Sequence, residues 1–248
     1  MSTVKQPDGG AVPAVVGARA REVLHRPDQG AGSSAEHPRK WLVRGGEDVF
    51  RSIYTRSGAA AGEVLAVTSA IEGEGKTTIA LGLAVTIAQD FPELRVVLVE
   101  TNVGAPVLAA DFDVPPAPGL VEFLSGECGL EAAQRATLLP NLSLVPVGTS
   151  TTNGSRLLRS SRMGLLADGL RAGSDLVIID LPGILASSDA LLLTDVSDGI
   201  VFVVRAGSTP DAIVSEGLDL VDQARVRGVV LNGATSSIPR WTRRLAGI

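Results

Sequence analysis

Cysteine is almost missing from this chain: Cys128 is the only one in 248 residues. That excludes an internal disulfide and fits a reducing, cytoplasmic setting. Aromatic residues are scarce as well, at 3%. A core must then be built from Val, Leu, Ile and Ala, a composition suited to parallel strands buried on both faces. No hydrophobic run is long enough to span a bilayer. Residues 1–10 lack the apolar centre of a secretory signal. Positive charge is also short. The formal net charge of −5 argues against nucleic acid as a partner of the whole molecule. What the chain does have is length and apolar content. With 45% hydrophobic residues it can form one large α/β domain with a well-buried core.

Residues 1–45 differ from the rest. They are rich in Gly, Ala, Pro and Ser, hold no sustained period, and read as a largely disordered tail. Only residues 14–24 carry a weak helical period. Seven cationic side chains against four carboxylates give this tail a net +3 in a protein that is negative as a whole. Such a tail either touches an anionic partner or membrane surface or serves as a solubilising extension.

From Val64 onward, strand-like and helix-like stretches alternate. The apolar runs are residues 64–68, 95–99, 142–145, 176–179, 200–204 and 229–231. The helix-patterned stretches are residues 77–89, 119–124, 155–171, 188–194 and 210–224. This alternation predicts a mostly parallel sheet with helices on both faces, a three-layer α/β/α arrangement with no second domain. Ligands of such sheets bind outside the carboxyl ends of the strands. Glu100, Asp180, Arg205 and Asn232 each follow an apolar strand directly.

The most informative stretch is Val67-Thr68-Ser69-Ala70-Ile71-Glu72-Gly73-Glu74-Gly75-Lys76-Thr77-Thr78. It is a strand end, a short loop and a helix start, with Gly-Lys-Thr at the helix mouth. A loop of this kind points backbone N–H groups at one spot and adds the positive end of a helix dipole, so the expected guest is a nucleotide phosphate chain. Gly73 and Gly75 let the backbone approach the phosphates. Lys76 reaches the β and γ oxygens, and the Thr77 hydroxyl sits on Mg²⁺. The strict phosphate-loop pattern is missed at one place, where Ala70 replaces its first glycine. Asp180 closes the run Leu176-Val177-Ile178-Ile179. A carboxylate there holds Mg²⁺ beside Thr77, the Walker B role, or else caps the turn that Pro182 and Gly183 begin. Residues 46–235 therefore read as a P-loop NTPase domain.

These residues resemble a known family. Residues 67–78 are similar to the phosphate loop of the bacterial protein-tyrosine kinases of capsule and exopolysaccharide operons, T-S-x-x-x-G-E-G-K-[ST]-T. Asp175-Leu176-Val177-Ile178-Ile179-Asp180-Leu181-Pro182-Gly183 resembles the family's D-x-V-I-I-D-x-P-P. Residues 153–163 and the closing Gly228-Val229-Val230-Leu231-Asn232 also fit it, and the resemblance runs in order over about residues 47–232. The wider superfamily includes MinD and ParA. Their signature lysine would fall at Ile71, which favours the kinase branch. The resemblance implies ATP and Mg²⁺ as cofactors, with Gly73, Glu74, Gly75, Lys76, Thr77 and Thr78 on the phosphates and Thr77 and Asp180 on the metal. It implies Lys76, Asp180 and Glu100 as catalytic residues. It places Asn232 against the adenine, although a strand-ending turn residue in Asn-Gly is an equal reading from sequence. It also implies a homo-oligomer, a membrane polysaccharide chain-length or co-polymerase protein as partner, and a place at the cytoplasmic face of the membrane.

The departures from the family concern catalysis. The second acidic motif, L-I-D-x-D-x-R-x-P in relatives, reads Leu98-Val99-Glu100-Thr101-Asn102-Val103-Gly104-Ala105-Pro106 here. Glu100 moves the first carboxylate outward by one methylene, and Asn102 cannot accept a proton. The tyrosine-rich tail is absent, and the one tyrosine, Tyr54, precedes the loop. The E-x-x-R-x-x-R helix tied to ring assembly is eroded to Asp48, Arg51 and Tyr54. At the other end, Ile238, Trp241, Leu245 and Ile248 make one helical face within residues 236–248, with Arg240, Arg243 and Arg244 elsewhere. Such a basic amphipathic segment lies on an anionic membrane or packs on its own domain or a partner. Three readings follow. The chain is an ATP-binding regulator of exopolysaccharide or capsule assembly with weak or lost autophosphorylation. Alternatively it is a kinase acting on a partner's tyrosine, or a MinD- or ParA-like positioning ATPase.

Overall fold

The computed structural model describes residues 16–17, 47–57, 62–149 and 154–234. The C-terminal stripe and nearly all of the tail lie outside these residues. Eight strands form one sheet: β1 (Val16–Gly17), β2 (Glu63–Ser69), β3 (Val96–Glu100), β4 (Arg135–Ala136), β5 (Leu142–Val145), β6 (Leu176–Asp180), β7 (Gly199–Arg205) and β8 (Val226–Asn232). Their order across the sheet is β1-β8-β7-β2-β6-β3-β5-β4. All neighbours are parallel except β4, which runs antiparallel to β5 at the edge.

The larger helices are α1 (Glu47–Ser57), α2 (Lys76–Asp90), α4 (Leu120–Ser125), α7 (Arg162–Gly173), α8 (Ser188–Thr194) and α9 (Asp211–Asp219). Short turns α3 (Leu108–Asp111), α5 (Leu130–Ala133) and α6 (Gly154–Leu158) link them. The period-2 alternation of each strand divides the core in two. Leu65, Val67, Leu98, Ile178, Val201 and Val203 pack with α1 and α2 on one face. Val64, Ala66, Val97, Val99, Val177, Ile179 and Phe202 pack with α4, α7 and α8 on the other. The handedness of parallel crossovers decides which helix goes where. The β2–α2–β3 connection runs one way along the sheet. The β5–α7–β6, β6–α8–β7 and β7–α9–β8 connections run the other way, so their helices cover the opposite face. The direction changes at β2, the place beyond the strand ends where ligands of such sheets bind.

Two expected helices are broken. The stretch 155–171 splits into α6 and α7 at residues 159–161, where the Ser160 N–H turns back to Leu157 O at 2.9 Å and the Met163 N–H donates to Ser160 O at 3.0 Å. The stretch 210–224 ends at Asp219, and the Asp222 carboxylate then accepts from the Ala224 N–H to open a 3-10 turn over Gln223–Arg225. In the tail, Val16–Gly17 sits in a strand beside β8, within the stretch that carried a weak helical period.

Helix α1 is tied onto α2. Arg51 reaches Asp90 through Nε and Nη2, at 2.5 and 3.1 Å, and also bonds Asp48 at 3.0 Å. Phe50, 1% exposed, lies against Gly82, where any Cβ would stand 2.4 Å from its ring. Phe50→Ala should therefore cost about 3–5 kcal/mol, read as a lowered midpoint in urea unfolding with an unchanged slope. Among the described residues no helix is long and apolar enough to cross a membrane.

Candidate functional site

Three strand ends meet where the loop begins. In register, Val67 of β2 and Glu100 of β3 each lie opposite Asp180 of β6. The loop leaves β2 at Ser69, turns through Gly73 (φ +83°) and Gly75 (φ +93°), and enters α2 at Lys76. The turn after β6 stitches the first half of the loop in place. Ile184 N–H donates to Ser69 O at 2.8 Å, Leu185 N–H to Ala70 O at 3.0 Å, and Thr68 Oγ1 to Pro182 O at 2.8 Å.

Thr77 Oγ1 donates to Asp180 Oδ2 at 2.7 Å. Asp180 is 1% exposed, and its Oδ1 has no partner. Burial pushes this carboxyl up to about 7; the Thr77 bond opposes the rise and the neighbouring Glu100 adds to it. A buried, half-satisfied carboxylate beside a threonine hydroxyl fits magnesium, which takes one or two protein oxygens and completes its shell with phosphates and water. Among the described residues no three acidic, His or Cys side chains form a metal cage. The pair that sequence placed on the metal is thus brought together.

Lys76 is 5% exposed. Its ammonium donates to Glu72 Oε2 at 2.9 Å and to Ile71 O at 3.3 Å. Thr78 sits half-buried in the first turn of α2. Glu74 turns its side chain inward, away from the mouth. It is 1% exposed and accepts from Ile71 N–H (3.0 Å), Thr209 Oγ1 (2.7 Å) and Arg205 N–H (3.2 Å). Its carboxylate therefore clamps the loop to the end of β7. Arg205 adds a bond from Nη1 to Gly73 O at 3.1 Å. Asn232, at the end of β8, donates from Nδ2 to Glu74 O at 2.8 Å, and its buried Oδ1 has no partner. Glu74→Ala should weaken nucleotide binding by roughly tenfold and stability by about 2 kcal/mol, since three donors lose one acceptor. Calorimetric titration and thermal unfolding of the same variant check this.

Glu100 is buried and carries its carboxyl above the usual range because of that burial. Its Oε1 accepts from Val107 N–H (2.6 Å) and Leu108 N–H (2.9 Å), while Oε2 has no partner. Glu100 thus anchors the segment that follows it. A cavity of about 220 Å³ opens beside it, lined by Pro106, Val107, Val114, Pro116 and Pro146. A larger one, about 470 Å³, lies at the opposite, amino-terminal end of the strands among Arg171, Asp198 and Arg225. There Asp198 is occupied by the Val64 N–H at 2.8 Å and by Arg171 at 2.9 Å, and it plays no part in the loop.

Sequence reasoning missed three contributors. Glu72 sits four residues before Lys76, a spacing that brings opposite charges together on a helix and here does so across the loop. Thr209 and Thr101 gave no signal. The first meets Glu74, and the second fixes Asp180 O through both N–H (3.2 Å) and Oγ1 (2.6 Å).

No family model matches the chain. It is similar to the tyrosine-protein kinase YwqD of Bacillus subtilis, 32% identical over 169 residues that span 67% of this chain and 70% of that protein. It is also similar to the succinoglycan biosynthesis transport protein ExoP of Rhizobium meliloti. There it is 32% identical over 174 residues, covering 68% of this chain and 22% of ExoP. Among solved structures, the kinase domain of the Escherichia coli tyrosine kinase ETK superposes with a TM-score of 0.70 at 26% identity, over 78% of this chain and 79% of that one. The cell division ATPase MinD of Pyrococcus furiosus shares the fold, with a TM-score of 0.62 at 21% identity over 75% of this chain and 79% of that one. A glycine-lysine-threonine loop, a threonine–aspartate pair at the strand ends and this level of identity agree: the chain belongs to the bacterial tyrosine-protein kinases, on the P-loop α/β fold they share with MinD.

Proposed function

We propose that this protein binds Mg·ATP and acts as a nucleotide-dependent regulator of exopolysaccharide or capsule assembly, with phosphotransfer to its own chain weak or lost. The observation that carries the reading is the contrast between two halves of one site. The grip is intact: Lys76 is buried at the loop, and Thr77 and Asp180 are bonded beside it. The acid that relatives would use next is Glu100, and it is engaged by the Val107 and Leu108 amides. Asn102 stands where the second acid would be, and an amide cannot take a proton. Lys76, the Thr77 hydroxyl, Asp180 and the amides of residues 73–78 hold the nucleotide, and Asn232 faces its base. Bound magnesium would neutralise charge on the phosphates; Thr77 Oγ1 and Asp180 would be its protein oxygens.

Residues 46–235 serve as the nucleotide-binding unit, residues 1–45 as a basic tail, and residues 236–248 as a basic amphipathic segment at the cytoplasmic face of the membrane. The partner that fits a relative such as ExoP is a membrane polysaccharide chain-length protein. A homo-oligomer is part of the reading. The test is incubation of the purified protein with Mg·ATP followed by phosphotyrosine detection. The expected outcome is bound nucleotide without phosphotyrosine. Strong phosphotyrosine that disappears in Lys76→Ala overturns the reading.

One observation favours a second reading, a kinase acting on a tyrosine of another protein. Glu100 Oε2 is unpartnered and Glu100 lines the cavity of about 220 Å³. In this reading Oε2, buried here, becomes exposed to take the proton of an incoming phenol as the phenol oxygen takes the phosphoryl group from ATP and ADP departs. Labelled phosphate on a co-purified partner, lost in Glu100→Gln, would select this reading over the first.

A further inference from the structure

The buried cation of the loop already has an anion. Lys76 Nζ lies 2.9 Å from Glu72 Oε2, while Glu72 Oε1 accepts the Gly183 N–H at 2.7 Å. Glu72 thus bridges the loop and the turn after β6. The two partners are unequal: the Lys76 side chain is 5% exposed and that of Glu72 53%. The ammonium is buried and the carboxylate stands half-exposed at the lip. The Gly183 and Lys76 bonds hold the Glu72 carboxyl below the usual carboxylate range against the opposing effect of burial, so it stays charged at neutral pH. The turn it reaches sits directly on the loop, since a Cβ on Gly183 would stand 2.8 Å from Ile71 C.

A phosphate chain needs the same ammonium and brings the same sign of charge as Glu72. Both cannot hold Lys76 at full strength, because like charges at contact distance repel. We infer that Glu72 is an internal stand-in for phosphate. It neutralises Lys76 when the loop is empty, and a nucleotide displaces it from Lys76 on binding. The inference rests on the reading of this loop as a nucleotide site. Glu72 therefore lowers nucleotide affinity and sets a threshold concentration for occupancy.

Glu72→Gln separates the two bonds. An amide oxygen still accepts from Gly183 N–H, but no charge faces Lys76. The test is calorimetry with Mg·ADP and with inorganic pyrophosphate on the wild type, Glu72→Gln, Lys76→Ala and the double variant. Glu72→Gln should bind both probes about three- to tenfold tighter, the scale of a half-exposed ion pair. On the Lys76→Ala background, where neither probe is expected to bind, the same change should restore no binding, since the competition has lost its object. A gain that persists without Lys76 overturns the inference, because it reports general repulsion between Glu72 and the phosphates. Equal or weaker binding by Glu72→Gln, with Lys76-dependent binding in the wild type, also overturns it. If Glu72→Gln melts well below the wild type, Glu72→Ala takes its place with the same two criteria. Absence of binding in the wild type would instead refute the nucleotide site itself.

Discussion

Asp180→Asn should stabilise the metal-free protein at pH 8 and remove most of its pH dependence between pH 4 and 7. The reason is the cost of ionising a carboxyl that is 1% exposed. Burial raises its folded value to about 7 from an ordinary 3.8. Between those values the folded chain keeps a proton that the unfolded chain has released. Stability therefore falls as pH rises through this window, from full value below pH 4 to its lowest level above about 7. At roughly 1.4 kcal/mol per unit the whole loss is about 4 kcal/mol. Glu100, also raised by burial, tilts the curve the same way. An amide at 180 still accepts the Thr77 hydroxyl but never ionises, so the variant should gain about 2–4 kcal/mol at pH 8 and nothing at pH 4. Magnesium with nucleotide should flatten the wild-type curve by favouring the ionised form, and should leave the shape of the variant's curve unchanged. Thermal unfolding over pH 4–8, with EDTA or Mg·ADP, measures all of this. A wild-type curve flat between pH 5 and 8 in EDTA would contradict it.

Gly75→Ala should abolish nucleotide binding in practice, with a loss of about a hundredfold or more. Two effects coincide at this residue. The backbone stands at φ +93°, which costs an L-residue about 1–2 kcal/mol. The new Cβ would also stand 2.0 Å from Asn232 Nδ2. That side chain must move, and its 2.8 Å bond to Glu74 O is lost. The loop then loses a tie to β8 at the point where it turns into α2. Displacements of about 1 Å in such positions cost about a hundredfold. Gly75→Ala/Asn232→Ala removes the collision and leaves the strained backbone, so it should recover part of the affinity. Equilibrium binding of Mg·ADP to both variants checks the order. Wild-type affinity in Gly75→Ala would show that the loop tolerates a side chain there.

The sequence carried the fold because the strands are buried on both faces. Continuous Val, Leu and Ile runs located six of the eight strands, within a few residues at each end. The two missed strands are β1 and β4. Each has two residues, too short for any period, and β4 is held by pairing with β5 at Leu144 and Ser143. The central site was also legible, since Lys76, Thr77 and Asp180 are fixed by local motifs at strand ends. What stayed hidden depends on distant partners. Glu74 read as a phosphate-loop residue, and only the fold reveals that Thr209 and the Arg205 amide claim its carboxylate. Glu100 read as a displaced base, and only the fold reveals the Val107 and Leu108 amides on its Oε1. Asn232 could be read from sequence as a base contact or a turn residue. Its bond to Glu74 O adds a loop-holding part that neither reading contained.

The central claim is that the loop at Gly73–Thr78 grips a phosphate chain through Lys76 and shares magnesium between Thr77 and Asp180. Calorimetric titration of the full chain with ATP, with and without magnesium, tests it most directly. The account predicts saturable binding that tightens with magnesium and disappears in Lys76→Ala while the variant still unfolds cooperatively. Binding of equal strength in Lys76→Ala, or no binding of ATP at millimolar concentration, would contradict it.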